Sequence, residues 1–509
     1  MKTINTLALS IACYGMLAQA PNIEWQKAIG GSAQDAAHSI QQTLEGGYII
    51  AGRSHSNDGD VTGNQGNSDY WIVKLDTGGN ITWQKTFGGS GDDYAHSIQQ
   101  TADGGYIIAG ESNSNDGDVS GNHGGSDYWI VKLSPSGEIT WQQSLGGSGA
   151  DSATSIKQTI DGGYIVAGYS SSSDGDVTVN QGSGDYWIVK LNAAGGIEWQ
   201  KSFGGSDFDN ALSIDQTNDN GYIIAGLTNS NDGDVTLNQG VRDYWIVKLN
   251  MTGDLIWEKS LGGSGDDRAY SIKQTSNNNY IIGGFSSSHD GDVTANNGDG
   301  DCWIVNLNPE GNILWQKALG GSSTDTAHNI QETIDGGFII AGYSASNDGD
   351  VTENKGGLDC WTVKLSPIGD IQWQKAVGGS GDELFSSIHQ TADGGYIAGG
   401  RSNSTDGDVT ENKGEQDYWI VKFGSDPLSI SQFKDQINIY PNPASSLLNI
   451  SAKEPIMTIS VYNLLGQKLM ASSHNEVKVQ LDISGLSPNV YMVVTESEEG
   501  TQAHKIIVR

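Results

Sequence analysis

Apolar and polar positions alternate with period two along most of the chain, and clusters of Gly, Asn, Asp and Ser interrupt the alternation every few residues. In the first unit the alternating segments are Ala37 to Thr43, Tyr48 to Gly52, Tyr70 to Leu75 and Ile81 to Lys85. Each is rich in β-branched or aromatic residues, and Glu45-Gly46-Gly47 and Thr77-Gly78-Gly79 read as short hairpin turns between them. Each segment therefore predicts a strand. No stretch of ten residues carries a helical period, so the chain is expected to be all-β.

The four-strand unit repeats. One Trp recurs at Trp25, Trp83, Trp141, Trp199, Trp257, Trp315 and Trp373, and a second at Trp71, Trp129, Trp187, Trp245, Trp303, Trp361 and Trp419, each set spaced by 58 residues. A fixed period of this size signals a solenoid, an array or a propeller. Seven 58-residue repeats with four strands per unit predict a seven-bladed β-propeller over residues 21–427. The ends point to a closed ring. The segment Ile23 to Lys27 is an unpaired fourth strand, and the last repeat stops after its third, Tyr418 to Phe423. Joining the two removes two exposed sheet edges, whereas a solenoid needs polar caps at both ends. The repeats resemble those of seven-bladed bacterial β-propellers, on Gly88-Gly89-Ser90, Asp93, Ser97-Ile98, Asp103-Gly104-Gly105-Tyr106 and Gly110. That resemblance implies fold and hardly any function, since propellers host binding modules and enzymes alike.

The flanks read differently. Lys2, the mostly apolar run Ile4 to Leu17 and the small-x-small triplet Ala18-Gln19-Ala20 form a signal peptide over residues 1–20, with cleavage after Ala20. Cys13 offers a weaker lipoprotein alternative. Residues 428–436 read as a linker, and 437–509 hold short alternating strands with no Trp, suggesting a small β-sandwich. Tyr440-Pro441-Asn442-Pro443, Gly466 within Val461 to Gln467, Lys505 and the terminal Arg509 resemble the type A C-terminal sorting domain of type IX secretion cargo. The resemblance implies passage across both envelope membranes with the type IX machinery as partner. It further implies removal of this domain, with the product released or held on the outer cell surface.

Composition narrows the function. Gly is 71 of 509 residues and Pro only 9, which suits many tight turns. With 61 acidic against 27 basic residues the net charge is −34, which excludes nucleic-acid binding through phosphates. Fourteen Trp and 19 Tyr exclude a disordered chain. No segment reaches the roughly 20 apolar residues of a membrane-spanning helix, and the mature protein reads as a monomer. Cys302 and Cys360 each replace a Tyr of the repeat and read as buried thiols too far apart to pair.

Four acidic positions recur in every repeat, from Asp35, Asp58, Asp60 and Asp69 in the first to Glu383, Asp406, Asp408 and Asp417 in the seventh. They predict a ring of carboxylates on one face of the propeller. The loop Asn57-Asp58-Gly59-Asp60-Val61-Thr62 with Asn64 has two readings. Its oxygens suit calcium, which would be held by Asp58, Asp60 and Asn64 and by Asp116, Asp118, Asp174, Asp176, Asp232, Asp234, Asp290, Asp292, Asp348, Asp350, Asp406 and Asp408. Alternatively, these side chains bond their own backbone to hold a long turn, with Gly59 at positive φ. The Trp columns read as packing between blades, with sugar stacking as the alternative. Lys74 and its equivalents should pair with nearby carboxylates, a column interrupted by Asn306.

A functional site should break the repeat symmetry. His38, His96 and His328 share a column otherwise filled by Thr154, Leu212, Tyr270 and Ser386, and Arg53 and Arg401 share another. Two His without a third ligand make a weak metal site; the two Arg suit a small anion. No nucleophile elbow, phosphate loop or paired catalytic carboxylates stand out. The sequence thus reads as an exported binding or adhesion propeller for a glycan or a protein, with calcium as a candidate aid. An extracellular hydrolase or lyase, or a purely structural surface protein, are the alternatives.

Overall fold

A computed structural model describes residues 19–426, 437–441, 443–463, 468–497 and 500–508. The expected leader up to residue 18, the expected linker over 428–436, and Asn442, Gly466 and Arg509 of the sorting motif lie outside the described residues. The described residues fall into two compact units, one up to Asp426 and the other from Ile437 on.

The first unit is a seven-bladed β-propeller. It begins with β1 (Ile23–Ile29), followed by β2 (Asp35–Gln42), β3 (Tyr48–Ser54), β4 (Asp69–Leu75) and β5 (Ile81–Phe87). Strands β2 to β5 form one antiparallel sheet in sequence order, and the pattern recurs to give seven four-stranded sheets. The third strand of each blade is buried from end to end and reads Asp-Tyr-Trp-Ile-Val-Lys-Leu in β4, as expected of a strand covered on both faces. The fourth strand is half exposed and carries Thr, Gln and Lys around its Trp. The turn after the first strand needs a left-handed residue, supplied by Gly46 (φ 93°) and in two blades by Asn220 (φ 63°) and Asn278 (φ 68°).

The blades lock through one repeated contact. The Tyr70 ring tilts against Trp129 of the next blade with centroids 4.5 Å apart, and its hydroxyl donates to the Trp129 carbonyl at 2.9 Å. Both side chains are fully buried, so the contact joins large apolar burial to a satisfied phenol. The same hydroxyl-to-carbonyl bond joins Tyr128 to Trp187, Tyr186 to Trp245 and Tyr244 to Trp303. Closure reproduces it: Tyr418 donates to the Trp71 carbonyl at 3.0 Å. As the sequence indicated, β1 pairs antiparallel with Asp417–Phe423 and completes the seventh blade. Trp83 meets Tyr106 edge-on across the blade boundary at 6.0 Å, so both Trp columns pack between blades.

Cys302 and Cys360 are buried free thiols. Each replaces the bonding Tyr, and at the second site the volume is recovered from the partner blade. Phe385 stands where the other blades have Ala, and it stacks on Trp419 at 5.6 Å and 17°.

The second unit is a β domain of five strands, Ile437–Tyr440, Leu447–Tyr462, Lys468–Asp482, Asn489–Ser497 and Gly500–Val508, in one hydrogen-bonded network. Leu448, Ile450, Val461, Val493 and Ile506 form its core. Tyr440 is exposed, and Lys505 lies in the last strand. No helix of the described residues is long and apolar enough to cross a membrane.

Candidate binding site in the central channel

The acidic columns behave differently from the predicted open ring. Asp35 and Asp69 and their equivalents are fully buried, because they begin strands instead of lying in loops. Asp35 Oδ2 accepts the Gly31 N–H at 2.8 Å and the Ser56 hydroxyl at 2.9 Å, and Ser54 Oγ donates to Oδ1. Burial raises the Asp35 carboxyl above its ordinary range. Asp69 accepts the Gln65 N–H at 2.8 Å through Oδ2, while its Oδ1 is buried without a partner. Burial, with Asp93 alongside, raises it to about 7. Gly88 occupies the seam between this pair: a Cβ there would meet Asp93 Oδ2 at 2.5 Å and Asp69 Oδ1 at 2.6 Å. The first Gly of the repeat's Gly-Gly is thus set by two carboxylates from adjacent blades.

The calcium candidates are all engaged by amides. Asp58 Oδ1 accepts the Ser32 N–H at 2.7 Å, and Asp116, Asp174, Asp232, Asp290, Asp348 and Asp406 accept the equivalent Ser N–H at the same distance. Asp60 Oδ2 accepts the Gly30 N–H at 3.1 Å, and Asp118, Asp176, Asp234, Asp292, Asp350 and Asp408 repeat the contact. Asn64 donates to the Ser54 and Ser56 carbonyls, and Gly59 takes φ 63°. The Asp carboxylates thus tie this loop to the Gly-Gly-Ser loop before β2, while Asn64 bonds the backbone near its own turn. Among the described residues no group of three or more His, Cys, Asp or Glu is placed to hold a metal ion.

Symmetry breaks instead in the central channel. In every blade the register of the first strand against the second slips by one residue, between Ala37 and Ser39 in the first. Such a bulge re-aims a side chain and often borders a functional site. Here it sends His38 and Ser39, and all their equivalents, into a cavity of about 170 Å³ lined by the first strands of all seven blades. The sequence holds no Gly or Pro at the slip that would have revealed it.

The bulged column is mostly aromatic or polar. His38 stacks on His96 at 5.2 Å and 12°, and Tyr270 stacks on His328 at 4.9 Å and 20°. His38 Nδ1–H donates to the Ala95 carbonyl at 2.9 Å. Burial, with His96 and Arg53 alongside, holds His38 far below its ordinary value; burial does the same to His96 and His328. The three rings are therefore neutral near pH 7. Arg53 and Arg401 do lie near one another, since burial and then Arg53 lower Arg401. Arg53 also sits over the Tyr94 ring at 4.6 Å. Glu111, Tyr169, Phe285 and Tyr343 fill the same column in other blades, with Tyr169 against Phe208 at 5.1 Å and Tyr343 against His328 at 5.6 Å. This column stands near the end of the second strands that leads into the Asp loops, and Tyr343 brings it against His328 of the channel lining.

Toward the other end lies a column passed over by sequence reasoning: Gln41, Gln99, Lys157, Asp215, Lys273, Gln331 and His389. Its signal was present as a repeat position that carries Gln, Lys, Asp and His in different blades. The predicted Lys pairs form elsewhere, away from the channel. Lys74 bonds Glu45 at 2.6 Å and Lys132 bonds Asp103 at 3.0 Å, and Lys190, Lys248, Lys364 and Lys422 pair alike. The blade with Asn306 also has Asn277 in place of the acid, so both charges are lost together.

Comparison with known proteins fixes the C-terminal unit. Residues 438–509 match the family described as the secretion system C-terminal sorting domain. This unit is therefore a type IX secretion sorting domain, its machinery is a partner in export, and the chain is destined for the cell surface or the medium. The propeller has looser likenesses. The regulatory protein FlaEY of Caulobacter vibrioides is 24% identical over 216 residues, 37% of this chain, and the chain spans 22% of that relative. PorZ, a surface component of the type IX secretion system of Porphyromonas gingivalis, gives a TM-score of 0.41 at 12% identity over 95% of this chain and 60% of PorZ. A puromycin hydrolase gives 0.37 at 10% identity, over 75% of this chain and 52% of the hydrolase. Scores this low carry no functional argument.

Proposed function

We propose that the protein is an exported binding module that captures a glycan or a protein segment at the loop-side mouth of its propeller channel. The observation that carries this reading is where the repeat symmetry fails. The strand and loop positions that build the blades recur with few changes, whereas the Arg53 column runs Arg, Glu, Tyr, Leu, Phe, Tyr, Arg around one ring. A symmetric scaffold with an asymmetric lining suits recognition, because aromatic rings and Arg are the side chains that carry most binding energy at interfaces. The acidic loops around the mouth would repel competing polyanions and favour a ligand with a neutral or basic periphery.

The test is a glycan and peptide array probed with the full chain, in calcium and again in chelator. The reading expects discrete hits that Arg53→Ala and Arg401→Ala weaken at least tenfold, with Lys85→Ala as an unaffected surface control. Hits lost in chelator would restore calcium to the Asp58 loops. Hits indifferent to both Arg variants would overturn the mouth as the site.

A further inference from the structure

We propose that the end of the channel remote from the Asp loops is an oxyanion site, in which Lys157 and Lys273 hold a sulfate, phosphate or carboxylate group with the help of channel-facing serine hydroxyls. It is separate from the loop-side mouth and stands whether or not that mouth binds a ligand.

The first argument is charge. In a chain of net charge −34, this ring places two ammonium groups against one carboxylate, Asp215. Lys273 Nζ lies 3.9 Å from Asp215 Oδ1, and Lys157 has no carboxylate in ion-pair contact among the described residues. That contrasts with the six Lys of the Lys74 column, each closely paired with a carboxylate. The repulsion is visible on the neighbours. Lys273, then burial, lower Lys157 to about 7, against a smaller raising effect of Asp215. Burial, then Lys157 and Lys273, hold His389 well below its ordinary value, so it adds no charge near pH 7. An anion between the two lysines would relieve this crowding.

The second argument is the direction of the hydroxyl protons. Ser39 Oγ accepts the Ile98 N–H at 3.4 Å, Ser97 Oγ accepts the Ile156 N–H at 3.3 Å, and Ser155 Oγ accepts the Ile214 N–H at 3.4 Å. Each of these three oxygens is thus engaged as an acceptor from the next blade, so its O–H can turn to an anion, whereas Ser213 and Ser387 of the same column donate to the Ile272 and Ile40 carbonyls at 3.4 Å. Donors without acceptors favour an anion. Ser155 and Lys157 lie two residues apart on one strand and both line the cavity. At about 170 Å³ the cavity has room for one tetrahedral oxyanion with water, each water taking roughly 30 Å³.

The experiment is calorimetric titration of the full chain with sodium sulfate, and separately with glucuronate, at fixed ionic strength near pH 6.5 and near pH 9. The expectation is saturable binding of one anion per chain. Lys157→Gln and Lys273→Gln should each weaken it at least tenfold, Lys157→Arg should retain it, and the surface variant Lys85→Gln should leave it unchanged. Affinity should fall several-fold at the higher pH as Lys157 loses its proton. Tighter sulfate than glucuronate would name a tetrahedral oxyanion, and the reverse a sugar carboxylate; both support the site. Absence of saturable binding of both probes overturns it, as does equal binding by wild type and the two Gln variants. Trp fluorescence shows whether each variant is folded, and a pair of misfolded Gln variants leaves the wild-type pH dependence to decide.

Discussion

Replacing Asp243 by Asn should stabilise the propeller at neutral and alkaline pH. Asp243 is fully buried, accepts the Gln239 N–H at 2.9 Å through Oδ2, and leaves Oδ1 without a partner. Burial, with Asp267 and Asp292 adding their charges, raises its carboxyl from 3.8 to about 7. The native state therefore holds the proton more tightly than the unfolded chain does. Stability from this group is fully present below the unfolded value of 3.8 and is lost as pH rises from there through about 7. Fully expressed, the loss is on the order of 4 kcal/mol by about pH 8; relaxation of the seam should reduce it to roughly 2 kcal/mol. The substituted side-chain amide would keep an oxygen for the Gln239 N–H and turn its own N–H toward Asp267. The channel histidines act in the opposite sense, since their depressed values cost stability as pH falls below about 6.5. The informative quantity is therefore the difference between variant and wild type at each pH. Denaturant unfolding of both full chains, followed by Trp fluorescence, should show this difference growing severalfold from about pH 4.5 to reach roughly 2 kcal/mol at about pH 8. A pH-independent difference, or a variant less stable at pH 8, would refute the reasoning.

The neutral blade offers a second test. Asn306→Lys alone buries an ammonium without its carboxylate and should cost about 2–3 kcal/mol, while adding Asn277→Asp should recover most of it in a double-mutant cycle. Cys360→Tyr should clash with Phe385 and lower the unfolding midpoint by several degrees, equivalent to about 1–3 kcal/mol, and the double variant with Phe385→Ala should regain the loss. Deleting residues 23–27 removes most of the ladder to Asp417–Phe423 and bares an edge, so light scattering should show self-association. A monomeric deletion variant of unchanged stability would contradict closure by β1.

The 58-residue spacing of the two Trp columns and the orphan strand at residues 23–27 were enough to fix blade number, strand count and the way the ring closes, because periodicity in a chain is periodicity in space when each unit must bury its face on the next. The sorting domain was equally legible, since its motifs are local in sequence. What the tertiary structure decided was which polar residues are free. Asp35 and Asp69 looked like members of an exposed ring and are buried, since each starts a strand at a seam where a neighbouring blade covers it. Asp58 and Asp60 read as candidate cation ligands from sequence, and each places one carboxylate oxygen on an amide of the loop before β2. The channel lining depends on a bulge between Ala37 and Ser39 that no turn residue announces, and that slip, repeated seven times around one axis, accompanies the convergence of Lys157 and Lys273 from different blades on a common cavity. Local sequence sets elements and their order; the company a charge keeps is set by chain segments far away in sequence.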